Sequence, residues 1–280
     1  MNRALQIIQV LSLIFISVAL GYYFFSDSTL ILEKTEIADS FNPKDKLHFS
    51  FKSGFYTEAI HLEITNPKDS SCTIFYTLDC SIPTNNSLKY NSPIQIDFSN
   101  PHTLEVRPRE HQTSVIRCIA YSDKDPVSEV KTGVFFIDSL IFSKYPYPVL
   151  SLVMEPEVLL APGTAEIRVH VTLVENNGVV GISQDAGLQI LADSTKEIKM
   201  GSLMLSSRKK YATRYFDYPI FKSENKPKYQ GFGLELILKT SEFIERDMNN
   251  LESILEESNV YAVYINGGFQ GIYRSVSLKN

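Results

Sequence analysis

The chain has 280 residues, 44% of them hydrophobic, a net charge of -5 and one short basic run, Arg208-Lys209-Lys210. That length accommodates two domains of ordinary size, and the charge argues against nucleic-acid binding, which neutralises phosphates with clustered Lys and Arg. Three cysteines without a CxxC spacing, and five scattered histidines, argue against a zinc site.

Arg3 is the only charged residue before Asp27, and the stretch between them is almost entirely apolar. Roughly 20 such residues in a helix span the hydrocarbon core of a bilayer. Tyr22, Tyr23, Phe24 and Phe25 stand where an aromatic belt belongs. Residues 1–25 are therefore read as a signal anchor, in the membrane through residues 4–25, with the bulk extracytoplasmic at a cell surface or in a periplasm. A cleaved signal peptide is the alternative, because Ser17-Val18-Ala19 has small residues at a peptidase spacing. Outside the cytoplasm a disulfide is allowed, and Cys72 and Cys118, both on candidate strands, are one pairing.

Residues 26–45 are polar and read as a stalk. From residue 46 to 138 short β-branched and aromatic runs alternate with turn residues: His48 to Phe51, Ile60 to Ile64, Thr73 to Leu78, Pro93 to Phe98, Ser114 to Tyr121 and Val130 to Ile137. Short strands at this spacing predict a β-sandwich. Tyr145-Pro146-Tyr147-Pro148 is a stiff connector. Strands resume at Val149 to Val153, Ile167 to Leu173, Gly187 to Leu191, Ser202 to Ser206 and Leu234 to Leu238, with a turn at Asn176-Asn177-Gly178. A helix is predicted from Ser241 to Ser258, capped by Ser241, with Phe243, Ile244, Met248, Leu251, Ile254 and Leu255 on one face. Its exposed Glu252, Glu256 and Glu257 read as solvated. A last strand pair, Val260 to Ile265 and Gln270 to Val276, is joined through Asn266-Gly267-Gly268. The fold class is mainly β, with an α+β second unit at 147–280.

Two stretches carry family resemblances. Phe75 to Thr84, with Tyr90, Pro93-Ile94 and Ile116 to Tyr121, resembles the β-sandwich module at the C-terminus of chitobiase-type glycosidases. The motif residues Asp79, Ser81, Pro83 and Thr84 read as holding a hairpin tip, because Asp and Ser side chains bond turn backbone and Pro stiffens its exit. Cys80 stands where that family has glycine. A cysteine tolerates positive φ poorly, so a different turn is expected.

Residues 147–275 resemble the CotH family of spore-coat-type kinases. The resemblance rests on Pro148 to Leu152, Val169-His170-Val171 with Glu175 and Gly178, Gln184 to Ile190, Phe216 to Phe221, Arg246-Asp247 and Tyr264 to Tyr273. The last block holds the family-motif residues Tyr264, Asn266, Gly267, Gly271 and Tyr273, read as a binding or structural motif. The resemblance implies transfer of phosphate from ATP with a divalent metal. This chain departs from it where that chemistry sits: Ala192 to Lys196 replace a glycine-containing turn, and Met200-Gly201 offer no lysine for ATP phosphates. Lys196 and Lys199 are the candidate substitutes. Ser277 replaces a glutamate, and the family's metal-holding acidic residues would lie beyond Asn280. The expectation is thus a truncated, inactive kinase-like lobe, a pseudokinase at a cell surface, that needs neither ATP nor Mg. It would bind a protein partner through an apolar or edge-strand surface at Val260 to Val276.

Two alternatives remain: an active or split CotH-type kinase, with ATP and Mg as cofactors, and a module binding cell-surface glycan. Tyr56, Phe75, Tyr76 and Tyr90 are the aromatic supply for a sugar, and there is no Trp. Arg208-Lys209-Lys210, with Tyr211 and Arg214, reads as a solvated hairpin or a contact for an anionic lipid or polymer.

Overall fold

Strands that are apolar on both faces must be covered on both faces, and two such runs, Val134-Phe135-Phe136-Ile137 and Val260 to Ile265, set the architecture. The computed structural model describes residues 47–97, 113–138, 147–160, 165–191, 202–221, 228–238 and 259–278. All lie in one compact unit, Asp45–Asn280. The anchor, the stalk, Lys196, Lys199, the 241–258 helix and Arg246-Asp247 fall outside the described residues. Among the described residues no helix is long and apolar enough to cross a membrane.

Ten strands build the first half: β1 (His48–Phe49), β2 (Gly54–Tyr56), β3 (Ile60–Leu62), β4 (Ile64–Thr65), β5 (Thr73–Thr77), β6 (Leu88–Lys89), β7 (Ile94–Ile96), β8 (Thr113–Ser122), β9 (Asp125–Pro126) and β10 (Lys131–Ile137). The main sheet runs β2-β10-β8-β5-β6, with β9 hydrogen-bonded to β8. Two short ladders, β1 with β4 and β3 with β7, lie on one face of it. Phe49, Ile60, Leu62 and Ile96 from these ladders meet Ile116, Cys118 and Phe135 of the sheet in one buried core.

The second half contributes β11 (Val149–Val153), a single-turn helix α1 (Pro156–Leu160), β12 (Ile167–Val174), β13 (Val180–Leu191), β14 (Ser202–Ser206), β15 (Phe216–Asp217), β16 (Lys228–Tyr229), β17 (Gly231–Leu238), β18 (Val260–Ile265) and β19 (Gly268–Val276). Seven of these close a barrel in the order β11-β12-β13-β14-β17-β19-β18. The closing seam is parallel, pairing Val149 with Ala262 and Leu152 with Ile265. Side-chain alternation sends Leu150, Leu152, Val171, Leu188, Phe232, Val263 and Tyr273 into a filled interior. Phe216, Ile220, Phe221 and Tyr229 join that core, and the Ile220 carbonyl accepts from Asn259 Nδ2 at 2.7 Å. The described residues are thus mainly β in both halves. The long helix that would make the second unit α+β is outside them.

The barrel's outer residues do not face solvent everywhere. Val149, Val153, Val174, Val260, Ala262, Tyr264 and Ile272 pack with Phe55, Val115, Val134 and Phe136, which project from the far face of the main sheet. The Phe136 and Tyr264 rings meet edge to face, with centroids 5.2 Å apart. The main sheet is therefore the middle of three layers, between the short ladders and the barrel.

This arrangement corrects one expectation. No apolar or edge-strand surface is exposed at Val260 to Ile265, where β18 is paired on both sides, by β11 and β19, and every residue is buried. Through Val276 the chain is likewise paired, β19 lying between β18 and β17. The physical reason is that closure consumes the edge and the chain's own first half covers the outer face.

Removing the Phe136 ring should open a cavity at the centre of that seam. Phe136→Ala is expected to cost ~3–5 kcal/mol, read as a lowered urea midpoint of the whole chain with an unchanged slope.

Candidate functional site

The turn after β5 is built from its own side chains. Asp79 Oδ1 accepts from the Ser81 N–H at 3.0 Å and from Ser81 Oγ at 2.6 Å, while Thr77 Oγ1 donates to the Ser81 carbonyl at 2.7 Å. Pro83 is buried, and beyond it Thr84 exchanges bonds with Ser87: its N–H donates to Ser87 Oγ at 2.9 Å and its carbonyl accepts from the Ser87 N–H at 3.0 Å. Cys80 has φ +66°. The replacement of glycine therefore leaves the left-handed turn in place, contrary to expectation. The Arg117 guanidinium donates to the Cys80 carbonyl at 2.8 Å, and the Cys80 side chain is fully buried, so tertiary contacts hold a conformation that cysteine disfavours on its own.

The Tyr264 to Tyr273 block is equally interior. Asn266 (φ +48°) and Gly267 (φ +79°) form a two-residue turn with both central residues left-handed, which suits the twist of the β18–β19 hairpin. The Asn266 N–H donates to the Leu152 carbonyl at 3.0 Å and its Oδ1 accepts from the Met154 N–H at 2.8 Å. The block's asparagine thus fastens the hairpin to the end of β11. Gly271, at φ +142°, lies where the ladder register shifts, between Val263 and Tyr264. Tyr264 and Tyr273 are fully buried, on opposite faces of the barrel wall.

A third cluster lies on the outside of β12 and β13. His170 and Asp185 are cross-strand partners, and His170 Nδ1 is 2.7 Å from Asp185 Oδ1. Arg168 Nε and one terminal nitrogen reach Asp185 Oδ2 at 2.9 and 2.7 Å. The His170 and Asp185 side chains keep 14% and 28% of their surface, so the pair is sheltered yet open to solvent on one side. Burial alone would raise the Asp185 carboxyl, but the hydrogen bond and charge of His170, together with Arg168, bring it below its ordinary value. The carboxylate therefore stays ionised and orients the imidazole. Among the described residues no cluster has the composition of a metal site.

Residues 52–135 match the family described as Fn3 associated. The match spans β2 to most of β10 and makes the first half an Fn3-associated, β-sandwich-like module. It covers none of residues 147–275, the stretch read as CotH-like from the sequence. No curated protein and no solved structure matches the chain.

The Fn3-associated module is tied to the barrel by one carboxylate. Glu155, just after β11, accepts from the Ile82 N–H at 2.8 Å and lies 3.7 Å from Arg117. Thus the hairpin tip around Asp79 and Ser81 serves as a seat for the barrel's first turn. On the module itself Tyr56, Tyr76 and Tyr90 pack against its core, and Phe75 meets Tyr121 edge to face at 5.7 Å. The aromatics considered for sugar stacking are largely spent on packing. In the basic run Arg208 and Lys210 each lie 3.0 Å from Glu166, to which Tyr211 also donates at 2.7 Å, and both keep more than half of their side-chain surface exposed. That Glu166 lies against Gly187, where a Cβ would come within 2.5 Å of its carboxyl carbon.

Sequence reasoning brings together Asp79 with Ser81, and Asn266 with Gly267. It reaches His170 and Asp185 only as separate members of a resemblance. The turn at Asn176-Asn177-Gly178 does not pair them by itself: counting outward from Val174 opposite Val180 places 170 opposite 184, and the register shift between Leu173 and Val174 moves the partner to Asp185. All three cysteines are free thiols, so Cys72 and Cys118 are not bridged. Cys118 is buried in the module core, whereas Cys72 Sγ donates to the Asp69 carbonyl at 3.1 Å and accepts from Asn66 Nδ2 at 3.4 Å.

Two measurements follow from this chemistry. Burial pushes the Cys80 thiol up to about 12 and raises Cys118 as well, so iodoacetamide at about pH 8 should label Cys72 alone in the folded chain and all three thiols in denaturant. The Asp185 carboxyl is held below its ordinary 3.8 in the folded chain. Its stabilisation is therefore present above that ordinary value and is lost as pH falls through the lower folded one. Asp185→Asn should flatten the acid limb of the stability profile, measured as urea midpoints from about pH 5 to about pH 2.

Proposed function

We propose that this chain is a membrane-anchored, extracytoplasmic binding protein, in which an Fn3-associated module is joined to a CotH-like, kinase-related lobe that does not transfer phosphate. The observation that carries this reading is the burial of Val260, Ala262, Tyr264 and Ile272 beneath Phe136 and its neighbours. In a two-lobed kinase the nucleotide lies between lobes, and phosphoryl transfer depends on positioning and metal-mediated charge stabilisation there. Here an outer face of the lobe is occupied by the chain's own module, and the resemblance's phosphate-binding lysine has given way to Met200-Gly201. The motif residues Asn266, Gly267 and Gly271 have conformational work of their own in the hairpin. The lobe thus contributes a body to which the module is fastened, and a protein partner would meet a surface other than the covered strands at Val260 to Val276. No ATP, Mg or other cofactor is part of this reading.

Thermal unfolding of the purified full chain with and without Mg·ATP tests it. A ligand that binds only the folded state, at 100 times its dissociation constant, adds ~2.7 kcal/mol, which moves a melting temperature by several degrees. The expected result is an unshifted, cooperative melt. A shift that disappears in the Lys196→Ala, Lys199→Ala double variant would instead make the lobe a nucleotide-binding kinase domain.

A further inference from the structure

The loop between β14 and β15 reads Arg208-Lys209-Lys210-Tyr211-Ala212-Thr213-Arg214-Tyr215, four cations and two tyrosines in eight residues with no acid among them. All are exposed except Tyr211, which is half-buried. Like charges crowded on one short loop repel one another, so something must hold it. Ser207 Oγ donates to the Thr213 carbonyl at 2.9 Å, Thr213 Oγ1 to the Tyr215 carbonyl at 2.8 Å, and the Tyr211 N–H to the Arg208 carbonyl at 2.9 Å. Beneath the loop Glu166 accepts from the Tyr211 hydroxyl at 2.7 Å and lies 3.0 Å from both Arg208 and Lys210. Burial alone would raise the Glu166 carboxyl, but Tyr211, Lys210 and Arg208 bring it below its ordinary value. One ionised carboxylate, with 11% of its side chain exposed, thus pins two cations that keep 55% and 57% of theirs.

Arg168 extends the patch. It is exposed, and it is the cross-strand partner of Gly187, the residue against which the Glu166 carboxyl lies. Arg168, Arg208, Lys209, Lys210 and Arg214 stand against two carboxylates, Glu166 and Asp185, which leaves a surplus of positive charge on one stretch of the barrel's surface. Cations alone would suit any polyanion, and the tyrosines narrow the choice. Tyr215 is exposed, and Lys210 Nζ stands 4.6 Å from the Tyr211 ring centroid. Amphipathic rings beside Lys and Arg make a surface suited to the headgroup level of a bilayer. The sequence also supplies the bilayer: residues 26–45 separate the anchor from the fold. A segment of that length reaches at most ~70 Å, so the patch stays near the membrane and a weak contact suffices.

We propose that the 208–215 loop, together with Arg168, docks on the phosphate headgroups of an anionic lipid surface and lays the barrel against the membrane that holds the chain. The choice of a membrane rests on the anchored reading given above; the charge and exposure of the loop do not.

The test is lysine acetylation of the full chain, reconstituted in vesicles of phosphatidylcholine or of an equal mixture with phosphatidylglycerol. The reagent is uncharged N-hydroxysuccinimidyl acetate, and the products are read by peptide mass. Each cation near an anionic surface strengthens binding about fivefold. At low salt Lys209 should therefore react at least ~fivefold more slowly in the anionic vesicles, relative to the exposed Lys124 of the module. High salt should erase the difference, because it screens the attraction. Arg214→Glu, at an exposed position outside the Glu166 cluster, should restore most of the Lys209 rate with an unchanged melt. Equal relative rates for Lys209 in the two kinds of vesicle would overturn the proposal. So would protection by inorganic polyphosphate without protection by anionic vesicles, which would make a soluble polyanion the ligand. Alkaline carbonate extraction reads the anchor separately. If it strips the chain from neutral vesicles the anchored reading fails, and sedimentation of the released full chain with anionic vesicles then decides the patch alone. Binding that is lost in Arg214→Glu supports the patch, and no binding overturns it.

Discussion

The parallel seam between β11 and β18 is the constraint on which the rest depends. Four register pairs, from Val149 with Ala262 to Leu152 with Ile265, join the first barrel strand to a strand more than a hundred residues later. Without that seam the sheet would have two free edges and a half-covered interior, and free edges invite pairing with other chains. With it, Leu150, Leu152, Val263 and Ile265 face a closed core. The same register sends Val149, Val153, Ala262 and Tyr264 to the outside as one apolar patch. An apolar patch of that kind needs a cover. The Fn3-associated module supplies it from the same chain, which accounts for a β10 that is buried from Thr132 to Ile137 on both of its faces. Closure of the barrel and docking of the module are thus two consequences of one ladder.

How much of this was legible in the residues varies with the physical question. Strand positions were, because β-branched and aromatic runs bounded by turns report local preference: Val149–Val153, Ser202–Ser206 and Val260–Ile265 have the limits read from the sequence. Partners were not. Alternation says which side chains share a face, not what that face meets, and the seam joins segments too distant for any turn to fix their register. The unbroken apolar run Val134 to Ile137 did signal burial on two sides, yet nothing local says that its second cover is another unit. Strand β13 runs from Val180, well before the expected Gly187. Gln184 disguises it by pointing a polar side chain inward, where Ser207 and Thr213 satisfy its amide.

Cys80 shows why a turn can outlive the residue that suits it. A non-glycine residue in the left-handed region is unfavourable by itself. Here the residue's carbonyl is anchored by Arg117, its neighbours by the Asp79 carboxylate, and its side chain is enclosed by the core between module and barrel. Over-determination of that kind holds a strained position in place. A glycine would relax the backbone and leave a hole at the seam, so the exchange is not a simple loss.

The seam divides its tasks by chemistry. Its centre is apolar and shape-matched, with the Phe136 and Tyr264 rings edge to face. Its margin is polar, where Glu155 meets Ile82 N–H and Arg117. Apolar burial is non-directional and would tolerate sliding of one body over the other. A hydrogen bond to a single backbone N–H would not, because its strength falls steeply with misalignment. Glu155 therefore adds register rather than bulk affinity, and it does so at the tip of the one hairpin whose shape its own side chains fix. That is why the Asp79 and Ser81 motif matters at a distance from its own turn: a loosely held tip could not present Ile82 N–H in one place. The polar margin continues toward Arg168 and Asp185, whose charges are close enough to Arg117 to affect its proton affinity. The His170–Asp185 pair on β12 and β13 thus borders this junction, with 14% and 28% of the two side chains left exposed.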